Sequence, residues 1–437
     1  MQLCTSTFHT YQSEISLAIY SSAMAREATN LQAVLEKVDK GFLVEGVETI
    51  SYQFQFVDGV FHVENSNLAE CYEQWGRALA IVDSAVLDLY GGAMKNYFEH
   101  YRIQLVIHEA KVSEENKSMS SALEFVDAMK SFAISRKEPL LVIGGGIVTD
   151  VAGFSCAIYR RNTSFIRIPT TLIGFIDASV SIKVAVNYDG VKNRLGAFHA
   201  PQLTLLDSSF LRTLPTAHIR NGLAEILKIS LCADLEVFEY VEKHYDELIL
   251  TNFGQMEGSS TAVQLVGKRI IERSIERMLE LEVPNLHEID LDRVIAFGHT
   301  WSPTFELATT PHLKHGHAIS IDMAYSTTIA RVLGLLSEED HYRILQQFIN
   351  AGLSIDHPVL DEAMLLKATD IILGTRDGKL RLPLPNPIGS CIIVETVDKS
   401  TLQKALKEHK AITRMKSQNN GSSMYVDDPL KAKAEPE

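Results

Sequence analysis

Two patterns of apolar residues divide the chain. In the first half, short unbroken apolar runs stand at ALAIVD (78–83), IQLVIHE (103–109), LLVIGG (140–145), SFIRIP (164–169) and LTLLD (203–207). Between them, near 93–101 and over 118–135, apolar positions recur at helical spacing. Short apolar runs read as strands buried on both faces, and strands alternating with helices predict a mostly parallel α/β sheet. Ahead of them, TISYQFQFVDGVFHV (49–63) alternates polar with apolar residues about Asp58-Gly59 and predicts a β-hairpin. Residues 1–45 are polar and weakly patterned, a loosely held extension or one helix over Leu31–Val38. Beyond Leu214-Pro215 the pattern turns helical, in NGLAEILKISLCADLEVFEYVEKHY, AVQLVGKRIIERSIERMLELE, LDRVIAFGHTWSPTFELATT and HGHAISIDMAYSTTIARVLG. TRDGKLRLPLPNPIGSCIIVE (375–395) predicts a last hairpin, and the segment after Thr413 has the polar composition of a disordered tail. The expected division is an extension (1–45), an α/β domain (46–212), a helical domain (213–413) and a tail (414–437).

Charge narrows the partners. The formal net charge of -14 argues against nucleic acid and anionic membranes. No run of apolar residues is long enough to span a bilayer, and MQLCTSTFHTYQSEISLAIYSS lacks the basic start of a signal or transit peptide. The five cysteines are scattered, without CxxC spacing, which fits a reducing, cytoplasmic setting better than a disulfide framework.

Against this acidic background, residues 160–194 carry six basic residues (Arg160, Arg161, Arg167, Lys183, Lys192, Arg194) and two acidic ones (Asp177, Asp189). They follow Gly144, Gly145 and Gly146, where a strand gives way to a helix holding Asp150. Glycines let backbone N–H groups approach a ligand, and a helix N-terminus favours an anion such as a pyrophosphate. The same turn also serves simply to tighten a strand-to-helix connection. A local basic excess beside it suggests a small phosphorylated ligand. Asp83, ending its strand, suits a ribose hydroxyl or a helix cap equally.

The helical half offers a second constellation. Glu225 and Lys228 share one face of a helix that is apolar nearly all round, and a buried pair needs partners. Gly298-His299-Thr300 and His315-Gly316-His317 lie in two later helical segments. Two imidazoles, one carboxylate and an open position make a catalytic zinc arrangement. The spacing is not diagnostic by itself.

Together GGG…D, PTTL…D…K, KN, AExxK, GHT and HG, in this order, resemble the sugar phosphate cyclases, the superfamily of 3-dehydroquinate synthase, over roughly residues 45–410. The resemblance implies an N-terminal Rossmann-like α/β NAD domain, a mainly α-helical C-terminal metal-binding domain, and a site in the cleft between them. It implies Glu225, His299 and His315 as ligands of a divalent metal, zinc. It places Asp83, Glu114, Lys117, Gly144, Gly145, Gly146, Asp150, Thr170, Thr171, Asp177, Lys192 and Thr213 at NAD-contacting positions. Lys183, Asn193 and Lys228 fall at substrate-binding, catalytic positions with Asp177. Arg161 matches an arginine that reaches the substrate phosphate from the neighbouring subunit, implying a homodimer.

Departures from that pattern bear on the substrate. Dehydroquinate synthases read GHTxGH, where this chain has GHTWSP with Pro303 at the second histidine. Asp292 and Ala296 stand where those enzymes carry an arginine and an asparagine. A cation lost from the carboxylate pocket implies a substrate without a carboxylate, and so the branches acting on sedoheptulose 7-phosphate. GHTWSPTFELA, KHGHAIS and YRRNTSFIRIPTTLIG are most similar to the branch whose product has lost a further water. His317 and Asp292 are candidates for promoting that loss by position alone. Metal-dependent alcohol and glycerol dehydrogenases share the implied fold and stand as the alternative.

Overall fold

A computed structural model describes residues 31–306, 308–310 and 312–420. The chain forms two compact units divided after Tyr52. Described in the first are β1 (Leu31–Val38) and β2 (Gly41–Glu48), an antiparallel hairpin. The helix considered for 31–38 is therefore a strand. Leu31, Val34, Leu35 and Val38 do fall at helical spacing, but a continuous eight-residue ladder with the next segment overrides that local signal. The rest of the expected extension, residues 1–30, lies outside the described residues.

The second unit opens with β3 (Gln53–Phe56), followed by α1 (Asn67–Glu70), β4 (Arg77–Asp83), α2 (Ser84–His100), β5 (Gln104–Ala110) and α3 (Met119–Phe132). Then come β6 (Leu140–Gly144), α4 (Gly146–Ile158), β7 (Phe165–Pro169), the hairpin β8 (Lys183–Tyr188) and β9 (Val191–Phe198), and β10 (Leu203–Leu206). Six of these strands form a parallel sheet in the order β3-β10-β7-β6-β4-β5. Residues 49–63 are thus not a hairpin. Phe54 and Phe56 pair with Thr204 and Leu206, and the Asp58-Gly59 turn is held where Asp207 Oδ2 accepts from Val60 N–H at 2.7 Å, across 147 positions.

Both faces of the sheet are covered, which is why its strands read as continuous apolar runs. Ala78, Ala80, Val82, Leu141 and Ile143 pack on one side with Tyr97 and Phe98 of α2. Leu79, Ile81, Leu140 and Val142 pack on the other with Phe125 of α3 and Val151 of α4.

The helical part comprises α5 (Thr216–Ala233), α6 (Leu235–Leu250), α7 (Thr261–Glu282), α8 (Ser302–Phe305), α9 (His315–Val332), α10 (Glu338–Asn350) and α11 (Glu362–Thr375). β11 (Leu382–Pro385) and β12 (Cys391–Val394) form the hairpin expected between 375 and 395, and α12 (Lys399–Asn420) follows. Residues 414–420, expected in a disordered tail, extend this last helix; 421–437 lie outside the described residues. Helices α5 and α9 are buried along most of their length, α9 with Ser320, Asp322, Ser326, Thr327 and Thr328 among its buried residues. They approach closely at Gly316, where a Cβ would stand 2.7 Å from Asn221 Cα. Among the described residues no helix is long and apolar enough to cross a membrane.

Candidate active site

Strand β4 has β5 on one side and β6 on the other, so the connections out of β4 and β6 run in opposite directions. Ligands of open α/β sheets bind at such a switch point, outside the carboxyl ends of the strands. Here the ends are Asp83 and Gly144, and a cleft of about 1150 Å³ opens beside them. Gly145 and Gly146 line it at the start of α4, whose first N–H groups have no side-chain cap. That combination offers an anion uncovered backbone donors. At Gly144 a Cβ would meet Val148 and Asp83 at 3.0 and 3.1 Å, so close packing favours glycine there. Asp83 lines the cleft and also caps α2, accepting from Ala85 N–H at 2.9 Å.

The predicted cofactor-side residues converge here. Lys117, 3% exposed, donates to Asp150 Oδ2 and to Asn193 Oδ1, both at 2.7 Å. Glu114 Oε1 accepts from Asn187, and the Thr213 hydroxyl lies 2.8 Å from that of Tyr90. Thr170, Thr171 and Lys192 complete this side of the lining.

Across the cleft stands the second constellation. Helix α5 presents Glu225 and Lys228 one turn apart, with Lys228 Nζ 2.5 Å from Glu225 Oε2 and 3.7 Å from Asp177 Oδ1. Asp177 sits on a π-helical turn (Gly174–Ala178), an irregularity frequent at functional sites. Glu225 Oε1 lies 3.1 Å from His315 Nε2 and 3.8 Å from His299 Nε2. One ligand atom from each of the three falls within 4.8 Å of the others.

Neighbours orient both rings. His299 Nδ1 lies 3.2 Å from the Phe297 carbonyl and His315 Nδ1 3.2 Å from Glu306 Oε2. With Nδ1 engaged there, both Nε2 atoms are left facing Glu225. A metal-ligating histidine characteristically donates its second N–H to a carbonyl or a carboxylate. The donor set therefore fits a divalent ion of zinc's type.

Electrostatics agree with a site built for a cation. Burial drives the His299 imidazole down to about 3, helped by Lys228. Burial opposes the His315 imidazolium too, but Glu306 and Glu225 outweigh it and push its pKa up to about 9. Burial thus keeps His299 neutral, as a ligand must be, while carboxylates supply negative charge beside His315. Burial works against the Lys228 ammonium as well, yet Glu225 and Asp177 hold its pKa above the ordinary range.

Some sequence expectations shift. Arg161 is exposed at the end of α4 and outside the cleft lining. His317 is fully buried, its Nδ1 3.0 Å from Ser354 Oγ, and Asp292 pairs with Arg381; neither lines the cleft, so neither is placed to promote loss of water. Arg293 and Arg376 also line the cleft, and Arg293 is paired with Glu288.

Sequence reasoning also missed residues. Lys183 Nζ is held by Glu288 at 2.7 Å and Glu282 at 3.4 Å. Glu306, 4% exposed, joins Lys192 to His315. Glu306 is the one charge in GHTWSPTFELATT, a hint that gains a role only from the contacts made on folding.

A model of the 3-dehydroquinate synthase N-terminal region matches residues 107–221, and one of the C-terminal region matches 222–371. The chain belongs to the 3-dehydroquinate synthase family and is an enzyme of the sugar phosphate cyclase type. Within it, the chain is 49% identical to a demethyl-4-deoxygadusol synthase of Trichormus variabilis over 382 residues, 87% of this chain and 93% of the relative. It is 40% identical to a 2-epi-5-epi-valiolone synthase of Streptomyces albus over 371 residues, 84% and 90% of the two chains. The fold is similar to that of a 2-epi-5-epi-valiolone synthase of Streptomyces hygroscopicus subsp. jinggangensis solved with NAD+ and Zn2+ bound, with a TM-score of 0.79, 35% identity, and coverage of 85% of this chain and 99% of that one.

Proposed function

We infer that this enzyme converts sedoheptulose 7-phosphate to demethyl-4-deoxygadusol, releasing phosphate and water and using NAD+ and a divalent metal, zinc. The observation that carries this reading is the higher identity to a demethyl-4-deoxygadusol synthase than to a 2-epi-5-epi-valiolone synthase, over nearly the same span. The structural neighbour's NAD+ and Zn2+ support the cofactors, as do the uncapped α4 N-terminus and the ligand triad. Residues 46–212 would then serve the dinucleotide and 213–413 the metal and sugar.

Bound at the triad and beside Gly145, the metal and NAD+ would supply Lewis acidity at a substrate hydroxyl and reversible hydride transfer at its carbon. The chain's own residues do the rest. Glu225, His299 and His315 hold the ion. Lys228 and Asp177, bridged at 3.7 Å, border the same space and orient sugar hydroxyls. Lys183 and Asn193 meet the phosphate, one of whose oxygens takes the C–H proton next to the new ketone as the C–O bond breaks in β-elimination. Charge-assisted hydrogen bonds suit that task. Enclosure of the opened chain presets the geometry for aldol closure.

Incubation with sedoheptulose 7-phosphate, NAD+ and zinc, followed by mass spectrometry, tests the reading. The expected product has the substrate mass less phosphoric acid and one water. Loss of phosphoric acid alone identifies 2-epi-5-epi-valiolone formation instead. Turnover of 3-deoxy-arabino-heptulosonate 7-phosphate to dehydroquinate would sink both.

Arg161 supports a homodimer in this reading, since an exposed arginine outside its own cleft reaches a phosphate only from a partner. Its planar fork of donors suits phosphate better than lysine does. Arg161→Ala and Lys183→Ala should each weaken turnover without altering NAD+ affinity. Mixed as a heterodimer, they should recover activity, because one of the two sites is then intact. No recovery in a demonstrated heterodimer would confine Arg161 to its own subunit or to no role.

A further inference from the structure

The metal triad and the dinucleotide side of the cleft meet at one carboxylate, that of Glu306. It follows α8, whose first turn is pinned by the buried Asp322: Trp301 and Ser302 N–H donate to Asp322 Oδ2 at 2.5 and 2.8 Å. Glu306 is thereby set on a fixed stub, with 5% of its side chain exposed. Its two oxygens face opposite ways. Oε2 meets His315 Nδ1 at 3.2 Å, behind the metal-facing Nε2. Oε1 accepts from Lys192 Nζ at 2.5 Å. Lys192 comes from β9 and borders the cleft near Glu114 and Asp150.

We propose that Glu306 is a positioning residue that both orients the metal ligand His315 and couples metal binding to dinucleotide binding through Lys192. The proposal rests on the cofactors inferred above. A carboxylate behind a ligating imidazole fixes its tautomer and raises its basicity. While Lys192 is bound only to Glu306, the ammonium draws on that carboxylate. When an anionic group of the dinucleotide engages Lys192, more of the carboxylate's charge falls on His315, and the metal is held more tightly. Linkage requires the converse as well: zinc strengthens NAD+ binding by the same factor. No step in this coupling needs the sugar phosphate, so it is measurable without turnover.

The test measures zinc affinity by competition with a chromophoric chelator, with and without saturating NAD+, and NAD+ affinity with and without zinc. In the wild type NAD+ should raise zinc affinity. Glu306→Gln should lower zinc affinity about 10- to 100-fold and bring the NAD+ effect close to unity. Glu306→Asp, which keeps the charge, should recover part of both. Lys192→Gln approaches from the other side and keeps His315 supported: zinc affinity without NAD+ should rise towards the NAD+-saturated wild-type value while the coupling is lost. That variant decides the question should Glu306→Gln fail to fold. Zinc affinity of Glu306→Gln within threefold of the wild type would overturn the proposal, and so would coupling that survives in Lys192→Gln. A wild type that binds neither zinc nor NAD+ would instead remove the functional reading on which the proposal stands.

Discussion

Replacing His299 with alanine is expected to leave the protein without stoichiometric zinc and to lower turnover of sedoheptulose 7-phosphate by roughly 10³-fold or more. The magnitude follows from a Lewis acid's contribution of several kcal/mol to the stabilisation of developing charge, at about 1.4 kcal/mol per decade of rate. His299 offers its Nε2 to a point shared with Glu225 and His315, and its Nδ1 is already engaged by the Phe297 carbonyl. Besides His315, no other imidazole lies in that set among the described residues. Elemental analysis after gel filtration, alongside a product assay, checks both parts. A variant that keeps full metal content would remove the site as drawn, whatever its activity.

The second large effect is on stability. Lys228 is 2% exposed and neutralises Glu225, which has no exposed surface at all. Removing one partner of a buried ion pair costs up to about 3–5 kcal/mol, and His315 at 3.1 Å compensates Glu225 only in part. Lys228→Met should therefore destabilise the metal-free protein by up to that amount. A cation bound at Glu225 restores compensation, so the loss should shrink markedly in zinc. Urea unfolding in chelator and in zinc reads the difference. Equal losses in the two conditions would show that Lys228 supports the fold by packing alone. Activity should also fall in this variant, because Lys228 borders the cleft.

Much of the architecture was legible because a strand buried on both faces must be apolar throughout. Leu140–Gly144 and Phe165–Pro169 left little alternative. Long amphipathic or fully apolar helices were equally clear. What was misread depended on partners distant in sequence. Phe54 and Phe56 alternate with polar neighbours just as a hairpin strand does, and only Thr204 and Leu206 decide that they join the main sheet. The metal triad was legible from residue type, since paired histidine turns and a buried glutamate are uncommon without a reason. The supporting carboxylates were not. Glu288 and Glu306 acquire meaning only when folding brings them to Lys183 and His315, 105 and 9 positions away. Arg376, which lines the cleft from beyond α11, was likewise hidden from the sequence.

Gly316 separates two kinds of constraint that sit side by side in the chain. A Cβ at this position would meet Asn221 Cα at 2.7 Å and its carbonyl oxygen at 2.8 Å, and Gly316 N–H donates to the Asn221 side chain. The glycine is thus required by the approach of α9 to α5, whereas its neighbour His315 is placed to serve an ion. In evolutionary terms the two are free to part company. A descendant that abandoned metal chemistry would be released from His315 but would still need Gly316 to keep its helices docked. Among distant relatives, the glycine records shared architecture, and the histidine before it records whether the chemistry has been kept.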